Sequence, residues 1–407
     1  MSKTIFYKKK IIKELYFAGT LSCSDLSSQT KKSLPLTTKM VNELIDEQYI
    51  IETGYAPSTG GRRPVMYSLR PEVLYVVAVA MDQLFTRVVI LDMQKKQVTQ
   101  PEKFELYLDK NPQALDILSE KVDNHIHRSG IKKEKIAGVG IGMPGFVDAK
   151  KGINYSFLEL DGVSIPQYLA EKIKVPVYIE NDSSLIALAE YRFGAARGRK
   201  SAMVINLGWG IGLGLVMNGE LFRGHEGLAG EFSHIPLFFN NRLCSCGKSG
   251  CLETEASLLV VIEKAREGIR HGRLTTLKNG DFLTADTDKA SIAVIKAAEK
   301  GDKFAVELLS EAGYHIGRGV AILIHLLNPE AIVLSGRGSV AGKIWRAPVQ
   351  QALNEHCIPR LSANTAIEVS ELGFDAELIG AAALVMDNYE KGFIKKGIKH
   401  TGGTVMT

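Results

Sequence analysis

Within eighteen residues the chain places one histidine and three cysteines, His234, Cys244, Cys246 and Cys251. An imidazole and three thiolates at that spacing can converge on one ion. The donor set suits a closed tetrahedral zinc site that would tie this stretch into a knuckle whatever packs around it. The competing reading is a disulfide with a spare thiol. Five cysteines in 407 residues are odd in number and clustered, which fits a reducing compartment and a metal better than a disulfide framework. The N-terminal residues show no export-signal pattern, and the most apolar long stretch, Gly319 to Leu334, is interrupted by His325, Asn328, Pro329 and Glu330. A cytoplasmic protein without a membrane span is expected.

Charge sets one end of the chain apart. Residues 1–70 hold 11 of the 50 lysines and arginines but 6 of the 45 acidic residues, so the whole formal excess of +5 lies there. Such asymmetry points to a polyanion, because phosphates are held largely by lysine and arginine with release of counterions. The residue pattern agrees. Ile11, Ile12, Leu15 and Tyr16 repeat at helical spacing up to Ala18-Gly19, Ser24-Asp25-Leu26 can start a short second helix, and a third begins near Leu36. In the third, Val41, Leu44 and Ile45 face a core, while Thr37, Thr38, Lys39 and Asn42 are expected to point outward to phosphates or base edges. Strands around Ile50-Ile51 and Val65–Leu69 complete a wing, with Arg62 and Arg63 near its tip and placed to enter a minor groove. A three-helix unit can also be a protein-interaction module, but the basic excess and the arginine pair favour double-stranded DNA, and with it a place on the nucleoid.

The rest alternates strands and helices. Leu74–Ala80, Val88–Leu91, Ile136–Ile141, Val175–Ile179, Met203–Leu207 and Ala331–Leu334 read as strands, and 114–126, 185–193 and 303–327 as helices, an α/β pattern. At 45% hydrophobic and 23% charged the chain can bury sizeable cores, and its length allows two to three domains of about 150 residues. Asn181-Asp182 falls where a strand meets a helix, a position at which α/β sheets place ligand sites; the aspartate could take a proton from a hydroxyl or simply cap the helix. Gly208-Trp209-Gly210-Ile211-Gly212-Leu213-Gly214 fits a turn near phosphates or a glycine-rich hairpin.

Together, Asn181-Asp182, the Ala229-Gly230-Glu231 to His234 block, the Cys-x-Cys-Gly-x-x-Gly-Cys-x-Glu block and the wing ending in Gly60-Gly61-Arg62-Arg63-Pro64 resemble the ROK family of repressors and sugar kinases over nearly the whole chain. The resemblance implies a winged helix-turn-helix at 1–70 and a two-lobed, actin-like (ribonuclease-H-like) α/β fold behind it. Its first lobe would span 71–195, completed by 375–407. Its second would span 196–374, with the zinc site and a dimer interface. It further implies that Asn181, Asp182, Glu231, His234 and Glu253 bind sugar hydroxyls and that His234, Cys244, Cys246 and Cys251 bind zinc. The position of a sugar-contacting asparagine in the family's kinases is Glu159 here. The implied partners are an inverted-repeat operator, a sugar or sugar-phosphate effector, and further copies of the chain in a homodimer or tetramer.

Asp182 matches the general base of the family's kinases, so an ATP-dependent hexose or N-acetylhexosamine kinase with a regulatory head is the alternative. The departures argue against it. The kinases' Asp-x-Gly-Gly-Thr turn falls on Ala80-Met81-Asp82-Gln83-Leu84; a two-residue slip recovers Asp82 and Thr86 but puts Leu84 and Phe85 where glycines admit phosphate. The second phosphate turn, usually Gly-Thr-Gly, is Gly208-Trp209-Gly210. Phosphoryl transfer rests on positioning and charge neutralisation, so loss of both turns implies a sugar sensor with no catalytic residue in use.

Overall fold

The computed structural model describes residues 3–57, 63–82, 85–158 and 162–390. Its N-terminal part is a head of three helices and a small antiparallel sheet. Helix Lys3–Ala18 buries Tyr7, Ile11, Ile12, Leu15 and Tyr16 along one face. Ser22 and Asp25 form a capping box that starts helix Cys23–Thr30 slightly earlier than the pattern indicates, and Pro35 in the first turn starts helix Leu34–Asp46. Strands Ile50–Tyr55 and Val65–Leu69 pair as the wing, and Leu21–Ser22 adds to its inner edge.

One expected contact residue lies elsewhere. Thr37 is fully buried, its hydroxyl 2.6 Å from the Tyr7 hydroxyl and 3.0 Å from the Ser33 carbonyl it bonds. It faces inward because it lies four residues before Val41 and seven before Leu44, on the helix face that packs against Tyr7 of helix Lys3–Ala18. Thr38 is half-buried, and Lys39, Asn42 and Arg63 are exposed; Arg62 and the wing tip lie outside the described residues.

Behind the head stand two five-stranded sheets. The first runs in the order Val177–Asn181, Ile136–Met143, Tyr75–Met81, Phe85–Asp92, Glu102–Glu105, the first three strands parallel and the rest antiparallel. Pro176 has no N–H to give, and the paired strand begins just after it, although the Pro176 carbonyl still accepts from Val139. Helices Ala114–Arg128 and Ile165–Ile173 cover one face of this sheet; Asp182–Phe193 and Ala376–Asn388 cover the other. The C-terminal helix lies so close that a Cβ at Gly140 would run into the Ala381 carbonyl, which explains glycine there. The second sheet runs Glu220–Phe222, Ile211–Met217, Ala202–Leu207, Ala331–Ser335, Ala366–Val369, with helices Leu258–Arg270, Thr287–Glu299 and the 25-residue Lys303–Leu327 over its main core. Helix Asp182–Phe193 touches both sheets and so forms the floor between them.

The head is not hung on a bare linker at Leu69-Arg70-Pro71. Tyr16 and Phe17 pack on Phe193 at 6.0 and 5.9 Å between ring centroids, Lys13 pairs with Glu390 at 3.2 Å, and Arg192 lies 4.2 Å over the ring of Phe17. The core of the head is thereby continuous with the core beneath helix Ala376–Asn388.

Candidate functional site

Between the two sheets opens a cleft of about 970 Å³, lined by Asn181, Asp182, Glu231, His234 and Glu253 among others. Asn181, not Asp182, caps the floor helix: its side-chain oxygen accepts from the Ser184 amide at 3.1 Å, and its own amide donates to the Gly145 carbonyl at 3.2 Å. Asp182 is thus relieved of capping. One of its oxygens accepts from the Ser183 amide at 2.7 Å and from the Ser183 hydroxyl at 3.1 Å. Burial pushes its carboxyl up to about 6, opposed by the two Ser183 bonds and reinforced by Asp82 and Glu231.

Glu231 precedes the short helical turn Phe232–His234, which brings its carboxylate 3.7 Å from His234 Nε2. Its carboxyl is also raised, by burial first and then by Glu253, with His234 opposing. Glu253 begins the helix after the cysteine block; its Oε2 accepts from the Ile211 amide at 3.4 Å, and its Oε1 lies 4.0 Å from the Cys244 sulfur. Gly208–Gly210 is a tight hairpin turn closed by Gly208 N–H to the Gly210 carbonyl. Carboxylates and an amide thus face one another across a space that a ring of hydroxyls could satisfy. Glu159 lies outside the described residues.

The metal candidates converge. One donor atom each from His234, Cys244, Cys246 and Cys251 lies within 4.8 Å of all the others. Cys244 Sγ is 3.5 Å from His234 Nδ1, and Cys246 Sγ is 3.7 Å from Cys251 Sγ. A tetrahedron with bonds of about 2.3 Å has edges of about 3.8 Å, so these separations fit one tetrahedral ion. The chain turns to make them: the Cys244 amide donates to the Lys248 carbonyl and the Gly247 amide to the Cys244 carbonyl, while Gly250 sits at φ +78° with its Cα against the Phe238 carbonyl. Nδ1 of His234 faces the thiols and Nε2 faces Glu231, so one ring joins the metal knuckle to the open cleft.

The other end of the cleft holds a cluster that no local motif announces. Arg337 lies over the rings of Trp209 and Phe374, 4.0 and 4.3 Å from their centroids; it is paired with Asp288 and stands 3.4 Å from Asp82. Trp209 Nε1 donates to Asp82 at 3.1 Å. Arg87 lies over Phe374 at 3.5 Å, with Asp375 at 3.6 Å and Glu377 at 3.9 Å. Burial pushes the Glu377 carboxyl up to about 8, with nearby Asp182 adding to the effect and Arg87 opposing it. Asp82 and Trp209 are the residues at which the kinase phosphate turns depart; here they are bonded to each other.

The ROK family model matches residues 86–388. The chain belongs to the ROK family. It is 26% identical to a xylose repressor of Caldicellulosiruptor bescii over 94% of this chain and 95% of that one. It is 34% identical to a glucokinase of Halalkalibacterium halodurans, over 68% of this chain and 84% of the glucokinase. Among solved structures, a ROK family transcriptional regulator, homolog of the Escherichia coli MLC protein, superposes with a TM-score of 0.75 at 23% identity, covering 95% of this chain and 97% of that one. The regulator likeness in fold therefore extends through the head, and the ROK match takes in strands of both five-stranded sheets and the cysteine block.

Proposed function

We propose that this ROK protein is a sugar-responsive transcriptional repressor: the head reads DNA, and a sugar bound in the cleft between the two sheets alters that reading. The observation that carries this is extent. The repressor likeness runs through 94% of the chain, head included, whereas the glucokinase likeness covers 68%. Lys39, Asn42 and Arg63 supply exposed groups on the expected reading face, joined by Thr38 and by Arg62 at the wing. Asn181, Asp182, Glu231, His234 and Glu253 form the sugar site, with Glu159 completing it. Zinc is held by His234, Cys244, Cys246 and Cys251, so that His234 is fixed in one orientation toward the sugar. Two heads on a symmetric dimer would read an inverted repeat, and sugar binding would shift the population between head arrangements.

In this reading the chain divides into the head at 1–70, a first lobe at 71–195 completed by 375–407, and a second lobe at 196–374. Selection of genomic fragments by purified protein, with and without a panel of sugars, tests the reading. One enriched inverted repeat, lost on adding a particular sugar, is the expected outcome; no enrichment above a salt-sensitive background refutes it. The kinase reading has one observation in its favour, since an aspartate near pH 6 in a cleft suits a general base. ATP turnover on any sugar, abolished by Asp182→Asn, would establish it. No turnover is expected, because Asp82 and Trp209 replace the phosphate-turn residues and are bonded to each other.

A further inference from the structure

We propose that the effector of this cleft is a neutral, unphosphorylated sugar, because among the described residues every arginine and lysine lining the cleft is already paired with carboxylates. The proposal rests on the sugar-site reading above and narrows its ligand class. Among the described residues, six carboxylates and three lysine or arginine cations line the cleft, and each of the three cations is already engaged. Arg337 is held by Asp288 and Asp82 and flanked by Trp209 and Phe374. Arg87 is shared among Asp375, Glu377 and the ring of Phe374. Lys103 pairs with Asp288 and lies 3.9 Å over the ring of Phe85.

Four backbone amides that a phosphate could use beside Asp182 and Glu253 are already bonded as well. At the start of the floor helix the Ser183 and Ser184 amides bond Asp182 and Asn181. In the glycine hairpin the Gly208 amide bonds Gly210, and the Ile211 amide bonds Glu253. The metal site adds no attraction, since a dication held by three thiolates and a neutral imidazole carries net negative charge. Burial first, and neighbouring carboxylates after it, already hold Asp182 and Glu377 above their ordinary carboxyl range, and a phosphate dianion beside them would add further repulsion. A neutral polyol meets none of these penalties. Its hydroxyls can donate to Asp182, Glu231 and Glu253, and each such bond to a charged acceptor is favourable.

The test is calorimetric titration of the full-length protein with matched pairs: xylose and its 5-phosphate, and glucose, mannose, N-acetylglucosamine and N-acetylmannosamine, each with its 6-phosphate. One free sugar is expected to bind, with its phosphate about 100-fold weaker or not detectable, the size of penalty that like-charge juxtaposition brings. A phosphorylated member binding as tightly as its free sugar, or more tightly, overturns the proposal. If no member of any pair binds, the sugar reading itself falls, and the proposal with it. A second arm uses Asp288→Asn, which takes a partner from both Arg337 and Lys103 without touching the groups proposed to hold sugar. Here the affinity of the phosphorylated sugar relative to the free one should rise about tenfold. An unchanged ratio would mean that the committed state of these cations is not what excludes phosphate.

Discussion

The two ends of the cleft are built in opposite ways. At the metal end, His234, the three cysteines, Glu231 and Glu253 come from 23 consecutive residues, and the two carboxylates line the cleft with no arginine or lysine paired to either among the described residues. At the far end, Asp82, Arg87, Trp209, Asp288, Arg337, Phe374 and Glu377 come from both sheets and from the C-terminal helix, and they satisfy one another. The metal end leaves its carboxylates without cationic partners, while the far end uses its groups on internal pairs. Under the function proposed above, that difference separates the sugar site from a clasp between the two sheets.

The largest break in that comparison should come from the metal end. Cys246→Ser is expected to abolish stoichiometric metal, measured by elemental analysis of the purified protein, and to weaken sugar binding by about 10- to 100-fold, as loss of groups that orient a metal site commonly does. Full metal content and unchanged affinity in the variant would divorce His234 from the thiols. Asp182→Asn should cost about 2–3 kcal/mol of sugar binding while leaving metal content untouched, because a charged acceptor is replaced by an amide that cannot accept in the same way. Since the carboxyl titrates near 6, wild-type affinity should fall as the pH drops through that value, and the variant should lose this dependence. A variant with the same pH profile as wild type would show that another group titrates.

At the clasp end the effects should fall on stability. Arg337→Ala leaves Asp82 and Asp288 without the same partner and removes the group between two rings, at a cost of about 2–3 kcal/mol in unfolding free energy by denaturant titration. Arg337→Lys should recover only part, since an ammonium does not stack on Trp209 and Phe374 as a guanidinium does. Full recovery would reduce the clasp to a simple ion pair.

Glu377→Gln should act in the other direction. The folded carboxyl at about 8 binds its proton more strongly than the unfolded one at its ordinary 4.5, so wild-type stability contributed by this group is present below pH 4.5 and is lost as pH rises through 8. The glutamine variant should therefore gain on the order of 2 kcal/mol over wild type above pH 8 and nothing near pH 4, read from thermal unfolding across pH. A difference that does not change with pH would place the charge cost elsewhere. The smallest effect should be in the head, where Tyr7→Phe removes a buried bond to Thr37 at about 1 kcal/mol.

Legibility in the sequence followed this division. The head helices, the long helix Lys303–Leu327 and the strands around the cleft were readable because each depends on periodicity, caps and stops within a few residues. The metal knuckle was readable for the same reason. Thr37 is buried against the outward expectation because it stands one and two turns before Val41 and Leu44 on the core face, where its hydroxyl meets that of Tyr7, 30 positions away along the chain. Capping at Asn181 in place of Asp182 was a choice between neighbours that only the backbone conformation at the strand end resolves. Trp209 stood out as a replaced hydroxyl, but its partners Asp82 and Arg337 lie 127 and 128 positions away along the chain and carry no mark of pairing.

By itself the sequence determined the class of chemistry: a basic reading head, a α/β body, a four-donor metal set and a sugar-like array of polar residues. These follow from residue type and short spacing, which act before the chain is compact. Only the tertiary structure decided which groups are still available once it has folded. Commitment of Arg87, Lys103 and Arg337 to carboxylates, and the rise of Asp182 and Glu377 above the ordinary carboxyl range, arise from burial and from charges brought together across two sheets. Desolvation and Coulomb interaction depend on distance in space, and distance along the chain does not report it.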